Sequence, residues 1–309
     1  MNNKYSLAIH GGAGTILKSK MSPEQEATYK AVLEESLAKG QKILAKGGNS
    51  LDAVEVAVTV LEDSHLFNAG KGAVFTADGK HEMEASIMCG KTLEAGAVAG
   101  ITTLKNPVTL ARKILEDNNY VFLSGNGAEE YGVLHKLETV TNDYFYSDMR
   151  YEQWQALKGS DKTALDHTDD RKFGTVGAVA LDRHGNIAAA TSTGGLTNKK
   201  YGRIGDSSVI GSGVYANNDT CAISCTGYGE FFLRGVVAYD ISCLMEYGKL
   251  SLQQAADKVI MEKQTKLGGE GGIVGVDAKG NIALVFNSEG MYRGMVSESS
   301  SPKAFIFNV

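Results

Sequence analysis

The sequence predicts an α+β fold: two antiparallel sheets packed face to face, with helices covering both outer sides, a four-layer αββα sandwich. Three observations point there. Helical stretches come in blocks and strands come in hairpins, where a parallel sheet would alternate them. Two hairpins echo each other, 175–181 with 187–191 and 273–276 with 282–286, each joined by Asp-x-x-Gly-Asn at 182–186 and 277–281. Strands such as 176–180 are apolar on both faces, as a strand held between a second sheet and a helix layer must be.

In chain order, residues 5–10 read as a short buried strand running into Gly11-Gly12-Ala13-Gly14, expected to be a turn that brings backbone near a neighbouring site. Pro23 opens a long helix with Ala27, Ala31, Val32, Leu37, Ile43 and Leu44 on one face, closed by Gly47-Gly48-Asn49. Ser50 is placed to cap a second helix ending near Glu62, with loop over 63–70. Residues 72–76 and 81–88 read as a hairpin through Asp78-Gly79. There Glu82 and Glu84 alternate with Met83 and Ala85, so one face is expected to be polar. A strand over 96–102, a helix from Pro107 to Leu115 and two weaker helical segments lead to 151–156. Residues 158–172 are dominated by charge and polarity and are expected to be exposed and mobile. Beyond the first Asp-x-x-Gly-Asn hairpin, strands over 208–216 and 220–225 and two helices precede Gly268-Gly-Glu-Gly-Gly272.

Composition narrows the function. The 309 residues are 43% hydrophobic and 22% charged, enough to bury a full core as one large or two modest domains. A net charge of −5 without a basic stripe argues against nucleic acid as a partner. No apolar run reaches membrane-span length and no basic-then-apolar signal region is evident, so a cytoplasmic protein without a membrane partner is expected. Cys89, Cys221, Cys225 and Cys243 make no disulfide framework or zinc spacing and read as small buried apolar residues. The 37 glycines against 3 prolines, clustered beside hydrophobic runs, imply tight turns and backbone close to a ligand.

Several chemistries drop out. His10-Gly-Gly-Ala-Gly14 lacks the spacing of a phosphate loop, and no Gly-x-Ser-x-Gly elbow occurs. The six histidines are scattered, His10 reads as structural, and no His/Asp/Glu set has metal-ligand spacing. What remains is Thr175, at the junction of the charged segment and a buried strand. Threonine needs an adjacent base to act as a nucleophile. At the start of a chain its own α-amino group, with a pKa of about 7.7–8.0 against about 10.4 for lysine, would be neutral enough to take the hydroxyl proton. Thr175 is internal, so the Gly174–Thr175 bond must first be cut. Glycine tolerates the strained backbone such an attack needs, and the charged segment would let the cut end leave. Taken alone, Thr193 and Thr226 read more readily as strand-end threonines, and Arg203 with Asp206 as a surface ion pair, than as catalytic groups.

Six motifs in order carry a resemblance: His10-Gly-Gly-Ala-Gly14, Phe67-Asn-Ala-Gly-Lys-Gly72, Gly174-Thr-Val-Gly-Ala-Val-Ala-Leu-Asp182, Thr191-Ser-Thr-Gly-Gly195, Gly202-Arg-Ile-Gly-Asp206 and Cys225-Thr-Gly-Tyr-Gly-Glu230. From about residue 5 to Arg293 the chain resembles the plant-type asparaginases and isoaspartyl peptidases, N-terminal-nucleophile hydrolases. The resemblance implies a precursor that cleaves itself between Gly174 and Thr175. An α subunit, 1–174 with its mobile segment at about 157–174, and a β subunit, 175–309, would then form one αββα domain and assemble as (αβ)₂. It implies hydrolysis of β-aspartyl dipeptides and L-asparagine to release L-aspartate, a small-molecule or dipeptide substrate and no catalytic cofactor.

Carried over residue by residue, Thr175 is the nucleophile and Thr193 hydrogen-bonds beside it. Thr226 and the Gly227 N–H form an oxyanion hole, and Asn68 lies near that region and is tied to self-cleavage. Arg203 clamps the substrate α-carboxylate, and Asp206, assisted by the Gly229 carbonyl, holds the α-ammonium. A structural sodium is implied on the backbone carbonyls of Leu61, Glu62, Ser64, Phe67, Ala69 and Lys71. Two departures are Ser208, where the family often has proline, and the serine-rich tail Ser297–Ser301. The alternatives are a glycosylasparaginase-type amidase, whose members usually carry an export signal and disulfides, or an uncleaved, non-catalytic binder of the same fold.

Overall fold

The structure, a computed structural model, describes residues 4–160 and 174–308. In order it runs β1 (Ser6–Gly14), α1 (Pro23–Ala45), α2 (Ser50–Glu62), β2 (Met83–Cys89), β3 (Ala95–Ile101), α3 (Pro107–Asp117), β4 (Phe122–Ser124), α4 (Gly125–Leu134) and α5 (Asp148–Gln155). The second half runs β5 (Val176–Leu181), β6 (Ile187–Thr193), β7 (Val214–Ala216), β8 (Cys221–Gly227), α6 (Gly229–Gly235), α7 (Val237–Glu246) and α8 (Leu252–Asp257). A π-helical stretch, Lys258–Gln264, follows, then β9 (Gly271–Asp277), β10 (Ile282–Phe286), β11 (Gly290–Ser297) and β12 (Lys303–Phe307).

The strands form one sheet in the order β12-β11-β1-β5-β6-β2-β3-β4 and a second in the order β10-β9-β8-β7. All pairs are antiparallel except β3 with β4. Helices α1, α2 and α3 cover the large sheet, α7 and α8 cover the small one, and β1, β5 and β6 face β8 and β9. This is the four-layer α+β sandwich that the sequence predicts.

Period-two alternation explains the doubly apolar strands. In β5, Val176, Ala178 and Ala180 join the core under the helices with Leu7, Ile9, Leu37, Val54 and Leu61. Val179 and Leu181 point the other way, into the core between the sheets, where they meet Ala8, Val274 and Val276. Ile223, Phe232, Ile241 and Ile273 fill the third layer. Strands from before and after residue 174 interleave in the large sheet, so the two halves of the chain share one body.

Local chemistry sets the ends. Ser22 and Gln25 form a reciprocal capping box on α1. Asn49, and not Ser50, caps α2 by accepting the Asp52 N–H at 2.8 Å. The Ser50 N–H instead donates to Asp182 Oδ2 at 3.0 Å, tying that helix to the first hairpin turn. Both Asp-x-x-Gly-Asn turns work alike: Asp182 Oδ1 accepts from His184 and Asn186 N–H, and Asp277 Oδ1 accepts from Lys279 and Asn281 N–H.

Elsewhere the expectations need correction. Gly11–Gly14 is no turn: β1 runs through it, with a bulge against β11 between His10 and Gly12, and the Gly12 φ of +114° suits glycine. The 72–76 hairpin arm reduces to a single bridge, Phe75 to His81. Strand 208–216 shrinks to β7, because Val209 to Gly213 turn back on themselves. β11, which pairs between β12 and β1 one strand in from the edge, gave no strand signal, since Arg293 interrupts its apolar pattern. That guanidinium lies between the rings of Phe286 and Phe305, at 4.7 and 5.5 Å from their centroids. The serine-rich tail is the β11–β12 connection, where Ser300 Oγ accepts the Ser297 N–H. Cys221 and Cys225 are buried, but Cys89 and Cys243 are partly exposed; all four are free.

Most of the expected mobile segment, 161–173, lies outside the described residues. Residues 157–160 are anchored, with Leu157 buried and the Asn198 amide donating to the carbonyls of Leu157 and Ser160. Among the described residues no helix is long and apolar enough to cross a membrane.

Candidate active site

Thr175 stands just ahead of β5, at the mouth of the sheet sandwich, and is 6% exposed. Its backbone is held from behind. His10 Nδ1 lies 3.0 Å from the Thr175 carbonyl oxygen, and Nε2 lies 2.8 Å from Ser224 Oγ. Burial pushes the His10 imidazole down to about 3, so it is neutral: Nδ1–H donates to Thr175 and Nε2 accepts from Ser224. A Cβ at Gly177 would collide with both Ser224 Oγ and His10 Nε2, so glycine is required for this contact to form.

In front, the Gly174 carbonyl accepts two hydrogen bonds, from Asn68 Nδ2 at 2.9 Å and Thr193 Oγ1 at 2.9 Å. The Thr175 hydroxyl donates to Thr193 Oγ1 at 3.2 Å. Thr193 also accepts the Gly195 N–H at 3.0 Å. Asn68 is fixed by the Val74 N–H on its Oδ1 and by donating to the Gly195 carbonyl at 2.7 Å. Two donors on one carbonyl polarise it toward attack, with a hydroxyl next in the same network. Gly174 is not in the left-handed region. Its lack of a side chain matters because a Cβ there would overlap the Asn68 Cβ, a steric reason in place of the expected backbone strain.

A cleft opens over these groups, lined by Thr175, Thr193, Arg203, Asp206, Gly227 and Gly229 among others. Thr226 stands behind the wall, fully buried, its Oγ1 accepting the Ala13 N–H at 3.3 Å. Arg203 donates from Nε and Nη2 to the two oxygens of Glu230, each at 2.9 Å. The Nη1/Nη2 end of the fork remains for a second carboxylate. Burial pushes the Asp206 carboxyl up to about 7 against the opposing pull of Arg203, and its Oδ2 has no hydrogen-bond partner among the described residues. A Cβ on Gly229 would come within 2.7 Å of Arg203 Nη2 and 3.0 Å of Asp206 Oδ1, so the pair can close only over glycine.

The loop carrying Arg203 and Asp206 hangs on Glu84. Its carboxylate accepts the Gly205 N–H at 2.9 Å and the Ser208 hydroxyl at 3.1 Å, with Lys199 Nζ 3.9 Å away. The alternation at 82–85 was the trace of this buried polar face. Neither Glu84 nor Glu230 was singled out from the sequence. Glu230 ends a recognised motif, yet only folding brings it beside a residue 27 positions earlier.

The 61–72 loop fits an oxygen-only cation cradle. A Cβ at Gly72 would strike the carbonyl oxygens of Phe67 and His65, and one at Gly70 would strike that of Glu62, so several carbonyls converge on this turn. Those of Phe67 and Ala69 each accept one backbone N–H, leaving a second lone pair. Among the described residues no cluster of His, Cys, Asp and Glu side chains offers a metal site.

Comparison with known proteins is consistent along the whole chain. The asparaginase family model matches residues 3–306. The chain is 50% identical over 310 residues to an isoaspartyl peptidase of Salmonella typhimurium, covering 99% of each protein. It is 50% identical to the isoaspartyl peptidase of Escherichia coli, over 98% of this chain and 96% of that one. It is 40% identical to an isoaspartyl peptidase/L-asparaginase of Xenopus laevis, over 93% and 91%.

Proposed function

The chain belongs to the asparaginase family, and from that premise we propose that it is a self-cleaving threonine amidohydrolase that releases L-aspartate from β-aspartyl dipeptides and L-asparagine. The observation that carries this reading is the Thr175 hydroxyl joined through Thr193 to the doubly hydrogen-bonded carbonyl of Gly174.

In the intact chain Thr175 Oγ1 adds to the Gly174 carbonyl carbon while Asn68 and Thr193 hold the developing oxyanion. Collapse breaks the C–N bond as the hydroxyl proton passes to the leaving Thr175 nitrogen, and leaves an ester between the Gly174 acyl group and Thr175 Oγ1. One water then hydrolyses the ester to a Gly174 carboxylate and a free Thr175 α-amine. That amine is the base the hydroxyl lacked. Subunits of 1–174 and 175–309, assembled as (αβ)₂, belong to the same proposal.

In turnover the α-amine takes the hydroxyl proton as Thr175 attacks the β-carbonyl of the substrate. Thr193 supports the alkoxide, and the Gly227 N–H with Thr226 receives the oxyanion. The ammonium returns its proton to the leaving amine, and water frees L-aspartate from the resulting ester. The Nη1/Nη2 end of Arg203 suits the substrate α-carboxylate. The unpartnered Asp206 Oδ2, with the Gly229 carbonyl, suits the α-ammonium. A β-aspartyl group leaves both α-charges free, whereas an ordinary aspartyl peptide has spent its α-carboxylate.

The converging carbonyls of 61–71 support a structural alkali cation at Leu61, Glu62, Ser64, Phe67, Ala69 and Lys71, where it would supply fixed charge to the loop that carries Asn68 and take no part in the reaction. The test of the function pairs a denaturing gel with an assay of aspartate release from β-aspartyl-leucine and asparagine. Two fragments with release are expected; a single band without release contradicts the reading.

A further inference from the structure

A second cleft shares Gly174 with the first and is lined by Phe67, Asn68, Arg150 and Tyr292 among others. Arg150 is anomalous there. Its side chain belongs to α5 and is 5% exposed. Nε donates to the Gly72 carbonyl at 2.8 Å and Nη1 to Gln153 Oε1 at 3.0 Å, while Nη2 has no partner among the described residues. No carboxylate pairs with it among those residues either. The surrounding wall is aromatic: Tyr29 stacks on Tyr292 at 4.5 Å, and Phe67 meets both rings edge-on. Burial lowers the guanidinium to about 10, so it remains charged at neutral pH.

An enclosed cation without an anion carries an uncompensated desolvation penalty. In the uncleaved chain the nearest groups are neutral carbonyls, an amide and phenols. Self-cleavage changes this, because hydrolysis adds one water across the Gly174–Thr175 bond and places a new carboxylate on the wall of this cleft. We propose that Arg150 is the receptor for the Gly174 carboxylate, drawing the cut end away from Thr175 and into the second cleft. This rests on the self-cleavage reading above. Its value to the enzyme is electrostatic. A carboxylate left beside Thr175 would favour the protonated α-ammonium and compete with substrate for Arg203; one paired with Arg150 does neither.

The test sets Arg150→Gln and Arg150→Lys in two backgrounds, the self-cleaving chain and Thr175→Ala, which keeps the 174–175 peptide and so has no carboxylate to bind. Arg150→Gln is expected to lower the Tm of the cleaved protein by at least about 2 °C more than that of the Thr175→Ala protein, and Arg150→Lys to recover most of the excess. Equal losses in the two backgrounds would make Arg150 a structural residue only and overturn the assignment while leaving self-cleavage intact. A wild-type chain that never cleaves overturns both. The other source of a carboxylate is the substrate's leaving group, so KM is compared for β-aspartyl-leucine and its C-terminal amide. Their ratio is expected to be the same in wild type and Arg150→Gln; a change of about tenfold confined to the free acid gives the guanidinium to the substrate and contradicts the proposal. One measurement needs no variant. Carboxypeptidase treatment followed by intact mass should leave Gly174 on the α fragment of the wild-type enzyme, and rapid trimming would count against its capture.

Discussion

The Thr193 hydroxyl accepts the Thr175 hydroxyl proton at 3.2 Å while donating its own to the Gly174 carbonyl at 2.9 Å. One side chain therefore touches both the attacking oxygen and the group to be attacked. Removing it takes a donor from the oxyanion and a partner from the nucleophile together. Thr193→Ala is expected to slow both self-cleavage and kcat by about 10²–10³-fold, with Thr193→Ser keeping most of each. Cleavage time courses on gels and kcat on the matured fraction check this. An unchanged kcat would confine Thr193 to maturation.

Arg203 and Glu230 form a two-point ion pair, which fixes the guanidinium before substrate arrives. Arg203→Ala should raise KM for β-aspartyl-leucine at least about tenfold, the equivalent of 1.4 kcal/mol, with a smaller change in kcat. Glu230→Gln keeps the shape of its partner but weakens the pair, so a KM increase of roughly threefold is expected. Steady-state kinetics separate the two, and a Glu230→Gln effect on kcat alone would assign Glu230 elsewhere.

Asp206 is raised to about 7, mainly by burial. Only its carboxylate form can pair with the substrate ammonium, and the fraction ionised falls as pH drops below about 7. The kcat/KM profile of the free enzyme should therefore fall toward a tenfold loss per pH unit on the acid side. In Asp206→Asn most of the activity should be lost, and the acid limb that remains should be the one set by the Thr175 α-amine alone, at about 7.7–8.0, without the further steepening that Asp206 adds below about 7.

The same physics governs stability at Glu62. Burial raises this carboxyl from 4.5 to about 8, although Val108 N–H and the Ser192 hydroxyl both donate to Oε1. A raised folded-state pKa means the folded protein holds the proton more tightly than the unfolded chain. The contribution is fully present below about pH 4.5 and is lost as pH rises through about 8. Glu62→Gln keeps the Oε1 acceptor without the ionisation, so its Tm should decline less than that of the wild type between pH 5 and 8.5. Parallel declines would mean that Glu62 does not ionise in that window.

How much of this was legible in the sequence follows from the range of the interactions. The two Asp-x-x-Gly-Asn hairpins were readable because the aspartate bonds amides two and four residues on. The doubly apolar β5 announced the sandwich, since its alternate side chains enter different cores. β11 was not readable, because it owes its place to β1, far away in the chain, and carries a buried arginine that breaks the apolar pattern. In the site, motif order pointed to Thr175, Thr193, Arg203 and Asp206, which line one cleft. Motif order could not reveal Glu84 beneath the 203–208 loop, Glu230 against Arg203 or Arg150 beside Gly174. Each acts across the fold on a neighbour that only packing supplies.

The most direct measurement is N-terminal sequencing with intact mass on the purified wild-type protein and Thr175→Ala. The wild type should yield a second N-terminus reading Thr-Val-Gly-Ala-Val from residue 175, together with β-aspartyl-leucine hydrolysis, and Thr175→Ala should give one uncleaved, inactive chain. A full-length wild-type chain that hydrolyses the dipeptide without cleavage, or a Thr175→Ala protein cut normally at 174, would contradict the account.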